Sequence, residues 1–312
     1  MRICFWGVRG SIPSPQSPAQ IKSKISSILE RITPADLESP QTRERFLADL
    51  PPWLFGTVGG NTPCIQVESD EQRQFILDAG SGIRELGIAL SRARKKPKEL
   101  HLFFSHLHWD HIQGLPFFGP AYDPSVTMHF YSPHKTMEPA LKQQMHPPCF
   151  PITMDSMSAQ KHFHVLTEPV VIGDMHVYYK QMNHPGSSYS YMLTDGKKRF
   201  IYATDTELSP NDFIRNDENA AFFGGADILV IDAQYTLGEA IEKYNWGHSA
   251  FSLAVDFASN WGISKLYLFH HDPTYDDKKL FGILQSARWY IEHSAIKGLE
   301  VLLATEGMEI TL

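Results

Sequence analysis

The sequence predicts an α/β fold in which two β-sheets pack face to face and helices cover their outer surfaces. Two observations carry this. Short apolar runs bounded by turn residues recur along the 312 residues, with helical patterns lying between them. Strands follow one another closely in the N-terminal half, as in antiparallel sheets, whereas strand and helix alternate towards the end; two mixed sheets with outer helices accommodate both. With 42 % hydrophobic residues the chain can bury a large core.

The first strand is read at 2–7. Residues 16–53 stand apart: they are polar and charged, helical in character around Ile21, Ile25 and Leu29, and close on Pro51-Pro52-Trp53. They read as a helical insertion between the first and second strands, serving as a surface helix, a lid or a dimer arm. Further strands are expected at 63–68, 73–78, 99–105, 127–131, 170–180, 188–194 and 198–204, with Asp195-Gly196 as a hairpin signal between the last two. Strands at 227–231, 265–269 and 299–304 follow. Helices are expected at 82–94, 111–118, 136–145, 250–261 and 277–296. There is no solenoid-period repeat and no low-complexity linker, so 1–312 reads as one domain.

Composition excludes several classes. Thirty-five acidic against 28 basic residues leave a formal charge of -7, which argues against extended contact with nucleic acid while allowing a small anionic substrate held by metals. No segment has the length and apolarity of a bilayer span, and Met1-Arg2-Ile3-Cys4-Phe5-Trp6 reads as a strand and not a signal segment. The expectation is a cytoplasmic protein without membrane contact. Cys4, Cys64 and Cys149 have no paired spacing and read as small buried hydrophobes.

The chemistry concentrates in His106-Leu107-His108-Trp109-Asp110-His111, directly after the apolar run Leu100-His101-Leu102-Phe103-Phe104. Three imidazoles and a carboxylate at the end of a buried strand each need a hydrogen-bond partner or a cation. Four donors at a strand-to-helix turn can be shared between two metal ions, and such a pair needs more ligands from elsewhere. Three other strand ends offer them: His184 in Asn183-His184-Pro185, Asp205 in Ala203-Thr204-Asp205, and His270 in Phe269-His270-His271-Asp272. Asp205 carries the side chain suited to bridge two cations. His271 and Asp272 compete with His270, and since neighbours on a strand face opposite ways, at most one of the two histidines reaches the metals. Each added residue has a structural alternative, a helix cap for the aspartate or a plain hydrogen bond for the histidines. His101, His129, His134, His146, His162, His164, His176 and His293 lie in no motif and are read as background.

Taken together, these segments resemble the metallo-β-lactamase fold superfamily of binuclear metallohydrolases, in its ribonuclease Z and cyclic-nucleotide phosphodiesterase branch. The resemblance rests on Phe5-Trp6-Gly7-Val8-Arg9-Gly10-Ser11-Ile12-Pro13, Gly59-Gly60-Asn61-Thr62, Leu77-Asp78-Ala79-Gly80-Ser81-Gly82, the six-residue motif, Asn183-His184-Pro185-Gly186, Ala203-Thr204-Asp205-Thr206 and Trp246-Gly247-His248-Ser249. It covers nearly the whole chain apart from the 16–53 insertion. It implies a four-layer αββα sandwich with His106, His108 and His184 on one metal, Asp110, His111 and His270 on the other, and Asp205 bridging. Asp78 would support the motif from behind the ligands. His248 would be the proton donor to the leaving oxygen, oriented by Asp232 where ribonuclease Z has a glutamate, and Asp110 joins these two in the catalytic set. Arg9 and Asn61 would offer donors to phosphate or base, against the plainer reading of an exposed arginine and a tight glycine turn.

The resemblance implies a metal-dependent phosphodiesterase acting on a small phosphodiester, foremost a 3′,5′-cyclic nucleotide, by attack of a metal-bridged hydroxide. Two divalent ions are implied, Zn²⁺ for the imidazole-rich set, with Mn²⁺ or Fe²⁺ able to use the same ligands. A homodimer is implied too. The alternatives are an ester, thioester or lactone hydrolase of the same fold, a ribonuclease Z-like nuclease, and a nucleotide-binding protein without turnover. Ribonuclease Z grips transfer RNA through a basic, Gly/Pro-rich arm that has no counterpart here. Oxygen-reducing diiron members place glutamate where this chain has His108.

Overall fold

The computed structural model describes residues 1–312. In chain order, β1 (Arg2–Gly7) is followed by α1 (Pro18–Leu29), α2 (Pro40–Asp49) and α3 (Pro52–Phe55). Then come β2 (Cys64–Glu68), β3 (Gln74–Leu77), α4 (Ile83–Arg92), β4 (Glu99–Phe103), α5 (Trp109–Ile112), β5 (Thr127–Ser132), α6 (Met137–Gln144) and β6 (Gln160–Val165). The second half holds β7 (Val170–Ile172), β8 (Met175–Met182), β9 (Ser188–Thr194), β10 (Arg199–Ala203), α7 (Asp217–Phe223) and β11 (Ile228–Asp232). It ends with α8 (Leu237–Glu242), α9 (Phe251–Asn260), β12 (Lys265–Phe269), α10 (Asp277–Glu292), β13 (Glu300–Leu303) and β14 (Glu309–Thr311).

The strands form two seven-stranded sheets, ordered β14-β1-β2-β3-β4-β5-β6 and β13-β12-β11-β10-β9-β8-β7. Both are mixed in the same way. β14, β1, β2 and β3 pair antiparallel and β3 to β6 parallel. In the second sheet β7 to β10 pair antiparallel and β10 to β13 parallel. The division expected from the sequence, antiparallel first and alternating last, is therefore repeated inside each half. One apolar cluster fills the space between the sheets, with Phe5, Phe75, Phe103, Tyr191, Tyr202 and Phe269 fully buried, and extends under α9 and α10. A second cluster lies between the first sheet and α4 and α6. Each buried aromatic of this kind contributes about 2–3 kcal/mol against exposure. This is the αββα sandwich.

Local corrections have local causes. The run at 170–180 is two strands, because Gly173 takes φ +60 and turns the chain into a hairpin between β7 and β8. The helix expected at 111–118 is one turn, Trp109–Ile112, followed by a 3-10 turn at Leu115–Phe117 that begins beside Gly114 and Pro116. β6, β14, α7 and α8 were absent from the sequence reading. Cys149 is exposed, unlike Cys4 and Cys64. Between β1 and β2, α1 starts on a capping box in which Ser17 and Gln20 satisfy each other's backbone donors. Its apolar residues Ile21, Ile25 and Leu29 stay exposed, and Lys24 ties it to Gly56 O and Asp277 of α10. No helix is long and apolar enough to cross a membrane.

Candidate metal centre

Because β8 runs parallel to β10, and β10 to β11 and β12, the carboxyl ends of these strands emerge on one side of the second sheet. Those of β3 and β4 emerge together from the first. The site-bearing residues follow these ends: Asp78 after β3, 106–111 after β4, His184 after β8, Asp205 after β10 and His270 after β12. Such crevices at strand carboxyl ends are where ligands bind in open α/β sheets. Three of the turns are strained. Asp78, Asp205 and His270 have φ of +59, +37 and +59, a region that non-glycine residues occupy only when the surroundings hold them there.

The donor atoms of His106, His108, His184 and Asp205 lie within 4.8 Å of one another, as do those of Asp110, His111 and His270. Asp205 divides its carboxylate between the two groups. Its Oδ2 lies 3.5 Å from His106 Nε2 and 3.8 Å from His184 Nε2. Its Oδ1 lies 3.0 Å from His111 Nε2 and 3.1 Å from His270 Nε2. Asp110 Oδ2 is 3.3 Å from both His111 Nε2 and His270 Nε2. His271 turns the other way and donates to Ala304 O, so of the two histidines it is His270 that faces this group.

The opposite side of four of these five rings is committed, His108 being the exception. His111 Nδ1–H donates to Asp78 Oδ2 at 2.8 Å, and His184 Nδ1–H to Gly247 O at 2.8 Å. His270 Nδ1–H donates to Gln234 Oε1 at 3.1 Å. His106 Nδ1–H meets Ser105 Oγ at 3.1 Å, whose own hydroxyl donates to Asp78 Oδ2 at 2.7 Å. Asp78 also accepts from Tyr202 OH and Ser105 N, so one buried carboxylate organises the whole β4 turn. Ser11 N–H donates to Asp110 Oδ2 at 2.7 Å, and Thr204 Oγ1 to Asp205 Oδ1 at 2.7 Å. Such partners fix tautomer and aim for a metal-binding imidazole. Ser105, Tyr202 and Gln234 were missed by the sequence reading, although Ser105 precedes the motif directly and Tyr202 lies three residues before Asp205.

Electrostatics fit cations. His106 Nε2 and His111 Nε2 are buried without a hydrogen-bond partner. Burial lowers His106, His108 and His184, leaving neutral rings with a lone pair to offer. Burial would lower His111 too, but the charges of Asp205, Asp110 and Asp78 outweigh it and keep the ring protonated. Burial would raise Asp205 and Asp110, yet the adjoining histidines hold both well below the usual carboxylate range. Three buried carboxylates thus demand positive charge, which divalent cations would supply while freeing His111 Nε2 as a ligand.

Beside these groups, His248 Nδ1–H donates to Asp232 Oδ2 at 2.6 Å. The shorter aspartate reaches because it is the last residue of β11 and also accepts from Thr206 N and Gln234 N. Burial would lower His248, but Asp232 above all, with Asp205 and Asp110, raises it to about 9. Its ring stacks on His270 with centroids 5.0 Å apart, and its donor atom groups with those of Asp205 and His270.

Arg9 and Asn61 do not face this crevice as free donors. The Arg9 side chain is 4 % exposed and donates to the carbonyls of Gly59, Asp272 and Tyr275, with Asp277 at 3.8 Å. Asn61 is spanned by the Glu306 carboxylate, and its Oδ1 accepts from Ser81 Oγ. Both brace loops, and the expectation of free donors to phosphate or base meets side chains already engaged within the protein. Gly10, by contrast, packs against the site, since a Cβ there would lie 2.5 Å from the His270 ring.

Residues 73–271 match the beta-lactamase superfamily domain family. The chain is 24 % identical to ribonuclease Z of Oceanobacillus iheyensis, with 62 % of this chain and 78 % of the relative covered. Among solved structures, it is similar to a diphosphatase of the PhnP family (TM-score 0.65, 18 % identity, 100 % of this chain and 97 % of that one). It is also similar to the short form of human tRNase Z (TM-score 0.60, 16 % identity, 100 % and 99 %). The motif, the paired ligand groups and these likenesses agree: the chain belongs to the beta-lactamase superfamily and is a metal-dependent hydrolase of the metallo-β-lactamase fold.

Proposed function

We propose that the protein is a binuclear phosphodiesterase acting on a small phosphodiester, foremost a 3′,5′-cyclic nucleotide. The observation that carries the reading is the Asp232-held His248, whose donor atom stands within 4.8 Å of those of Asp205 and His270. A proton donor at this place has its use when the leaving group is a poor one, such as a sugar alkoxide. His106, His108 and His184 would hold one divalent cation, Asp110, His111 and His270 the other, and Asp205 both. Zn²⁺ suits this imidazole-rich set, with Mn²⁺ or Fe²⁺ able to take the same donors. When bound, such a pair supplies a water of lowered pKa and neutralises charge at a phosphoryl oxygen.

The chain's residues do the rest. With Nδ1–H committed to Asp232, His248 presents Nε2–H to the departing oxygen and gives up that proton as the P–O bond breaks. Asp232 keeps the ring in that tautomer and favours its protonated form beforehand. Trp109, 72 % exposed between two of the ligands, borders an apolar groove of about 570 Å³ with Leu107, Ile112, Phe117 and Phe150. An exposed aromatic next in sequence to His108 and Asp110 supports a substrate carrying a base. The reading includes a homodimer in the cytoplasm as its setting.

A second reading, a ribonuclease Z-like nuclease, is favoured by the likeness to ribonuclease Z of Oceanobacillus iheyensis and disfavoured by the formal charge of -7. The experiment is to assay metal-loaded protein and His108→Ala on cyclic nucleotides, an activated diester, a thioester and precursor transfer RNA. Turnover of cyclic nucleotide that is lost in His108→Ala is expected. Cleavage of precursor transfer RNA alone would favour the nuclease, and turnover of the thioester alone would favour an acyl hydrolase. No turnover of any diester would overturn the proposal.

A further inference from the structure

The segment that follows Asp205 grips the loop that carries His248. Glu207 lies two residues beyond Asp205, and its carboxylate accepts from two backbone amides of that loop. Asn245 N–H donates to Oε1 at 3.0 Å and Gly247 N–H to Oε2 at 2.9 Å. Two residues on from Gly247, Ser249 Oγ donates to Thr206 O at 2.6 Å and accepts from Leu208 N at 3.0 Å. His248 is thus pinned on both flanks by residues 206–208. The same segment reaches His184: Glu207 N–H donates to Asn183 O at 2.8 Å, and Asn183 Nδ2 to Glu207 O at 3.1 Å.

The loop itself needs holding. Asn245 and Gly247 sit at φ +66 and +89, and a Cβ on Gly247 would lie 2.2 Å from His184 Nδ1. That close approach is what lets Gly247 O accept the Nδ1–H of His184 at 2.8 Å. Tyr244 and Trp246 give the loop no apolar anchor, being among the most exposed aromatics of the chain, and Lys243 before it holds on only through its ammonium, over the Tyr235 ring and 3.5 Å from Asp272. A loop in strained conformations without an apolar anchor keeps its shape through its hydrogen bonds.

We infer that Glu207 is a positioning residue that couples one metal ligand to the proton donor. By holding Asn245 and Gly247 it fixes the carbonyl that sets the His184 tautomer and, through the next residue, the place of His248. This rests on the roles proposed above for His184 and His248. No step of the reaction passes through Glu207 itself.

The test uses Glu207→Ala and Glu207→Gln in the full chain. The readouts are metal retained against graded chelator and the ratio of turnover on an activated diester to that on an alkyl diester. Loss of an orienting partner to a metal ligand weakens metal binding about 10-fold or more. Glu207→Ala is therefore expected to release metal at correspondingly lower chelator concentration and to lose alkyl-diester turnover more than activated-diester turnover. Glu207→Gln, which keeps one acceptor for one of the two amides, is expected to fall between Ala and wild type, and it carries the test should Glu207→Ala not fold. Wild-type chelator resistance in both variants would overturn the inference. The metal readout stands even if wild type cleaves no diester, so failure of the phosphodiesterase reading and failure of this one are separable.

Discussion

His248 Nδ1 lies 2.6 Å from Asp232 Oδ2, the shortest of the contacts that orient an imidazole in this crevice. An aspartate makes this contact because β11 extends through Asp232 and delivers its carboxylate directly beneath the ring.

Removal of the dyad should therefore be felt in proportion to leaving-group difficulty. A positioned general acid contributes roughly 10²- to 10⁴-fold. His248→Ala is expected to lower alkyl-diester turnover within that range and p-nitrophenyl-diester turnover far less, with Asp232→Asn intermediate. Steady-state rates across a leaving-group series check it; parallel losses on all substrates would deny His248 the donor role.

Asp78 should matter to both fold and metal. Its carboxylate accepts from Ser105 N, Ser105 Oγ, His111 Nδ1 and Tyr202 OH, all buried. Each donor left unpaired in the interior costs about 1–3 kcal/mol. Asp78→Ala is expected to lower the unfolding midpoint in urea by several kcal/mol equivalent and to lose metal. Asp78→Asn keeps a carbonyl acceptor and should be milder in stability than in metal content.

Arg9 gives the opposite pattern. It is buried against three carbonyls and near Asp277, and truncating one member of a buried charged pair costs roughly 3–5 kcal/mol. Arg9→Ala should unfold more easily while KM of the folded enzyme stays put. A raised KM with unchanged stability would restore a substrate contact.

The grouping of these side chains was legible because each follows an apolar run: a buried strand that stops at His184, Asp205 or His270 leaves few other uses for such a side chain. The two-sheet class followed from the same runs. What stayed hidden depends on partners far along the chain. Nothing near Asn61 signals Glu306, and nothing near Arg9 signals Asp277 or the carbonyl of Tyr275. β6 was overlooked because Gln160, Lys161, His162 and His164 dilute its apolar pattern. In the sheet its histidines stack in register with those of β4 and β5: His101 opposes His129, and His129 opposes His162.

That histidine ladder carries a pH prediction. His101 is 3 % exposed, and burial lowers its pKa from 6.5 to about 4, with Glu99 opposing and His129 adding to the fall. Burial lowers His129 and His164 as well. Between pH 6.5 and about 4 the unfolded chain binds the extra proton, so stability rises with pH across that window. The His101 contribution is complete above pH 6.5 and gone below about 4, a change on the order of 3 kcal/mol. Urea unfolding of wild type and His101→Phe at several pH values checks it. The variant should have the flatter profile; identical slopes would assign the dependence elsewhere.

Seven side chains from four strand ends are proposed to bind two cations. Anomalous diffraction from crystals of metal-loaded protein tests this proposal most directly. Two peaks are expected, one bonded by His106, His108 and His184, the other by Asp110, His111 and His270, with Asp205 touching both. No peak at these residues, or a single ion bound without Asp205, would contradict it.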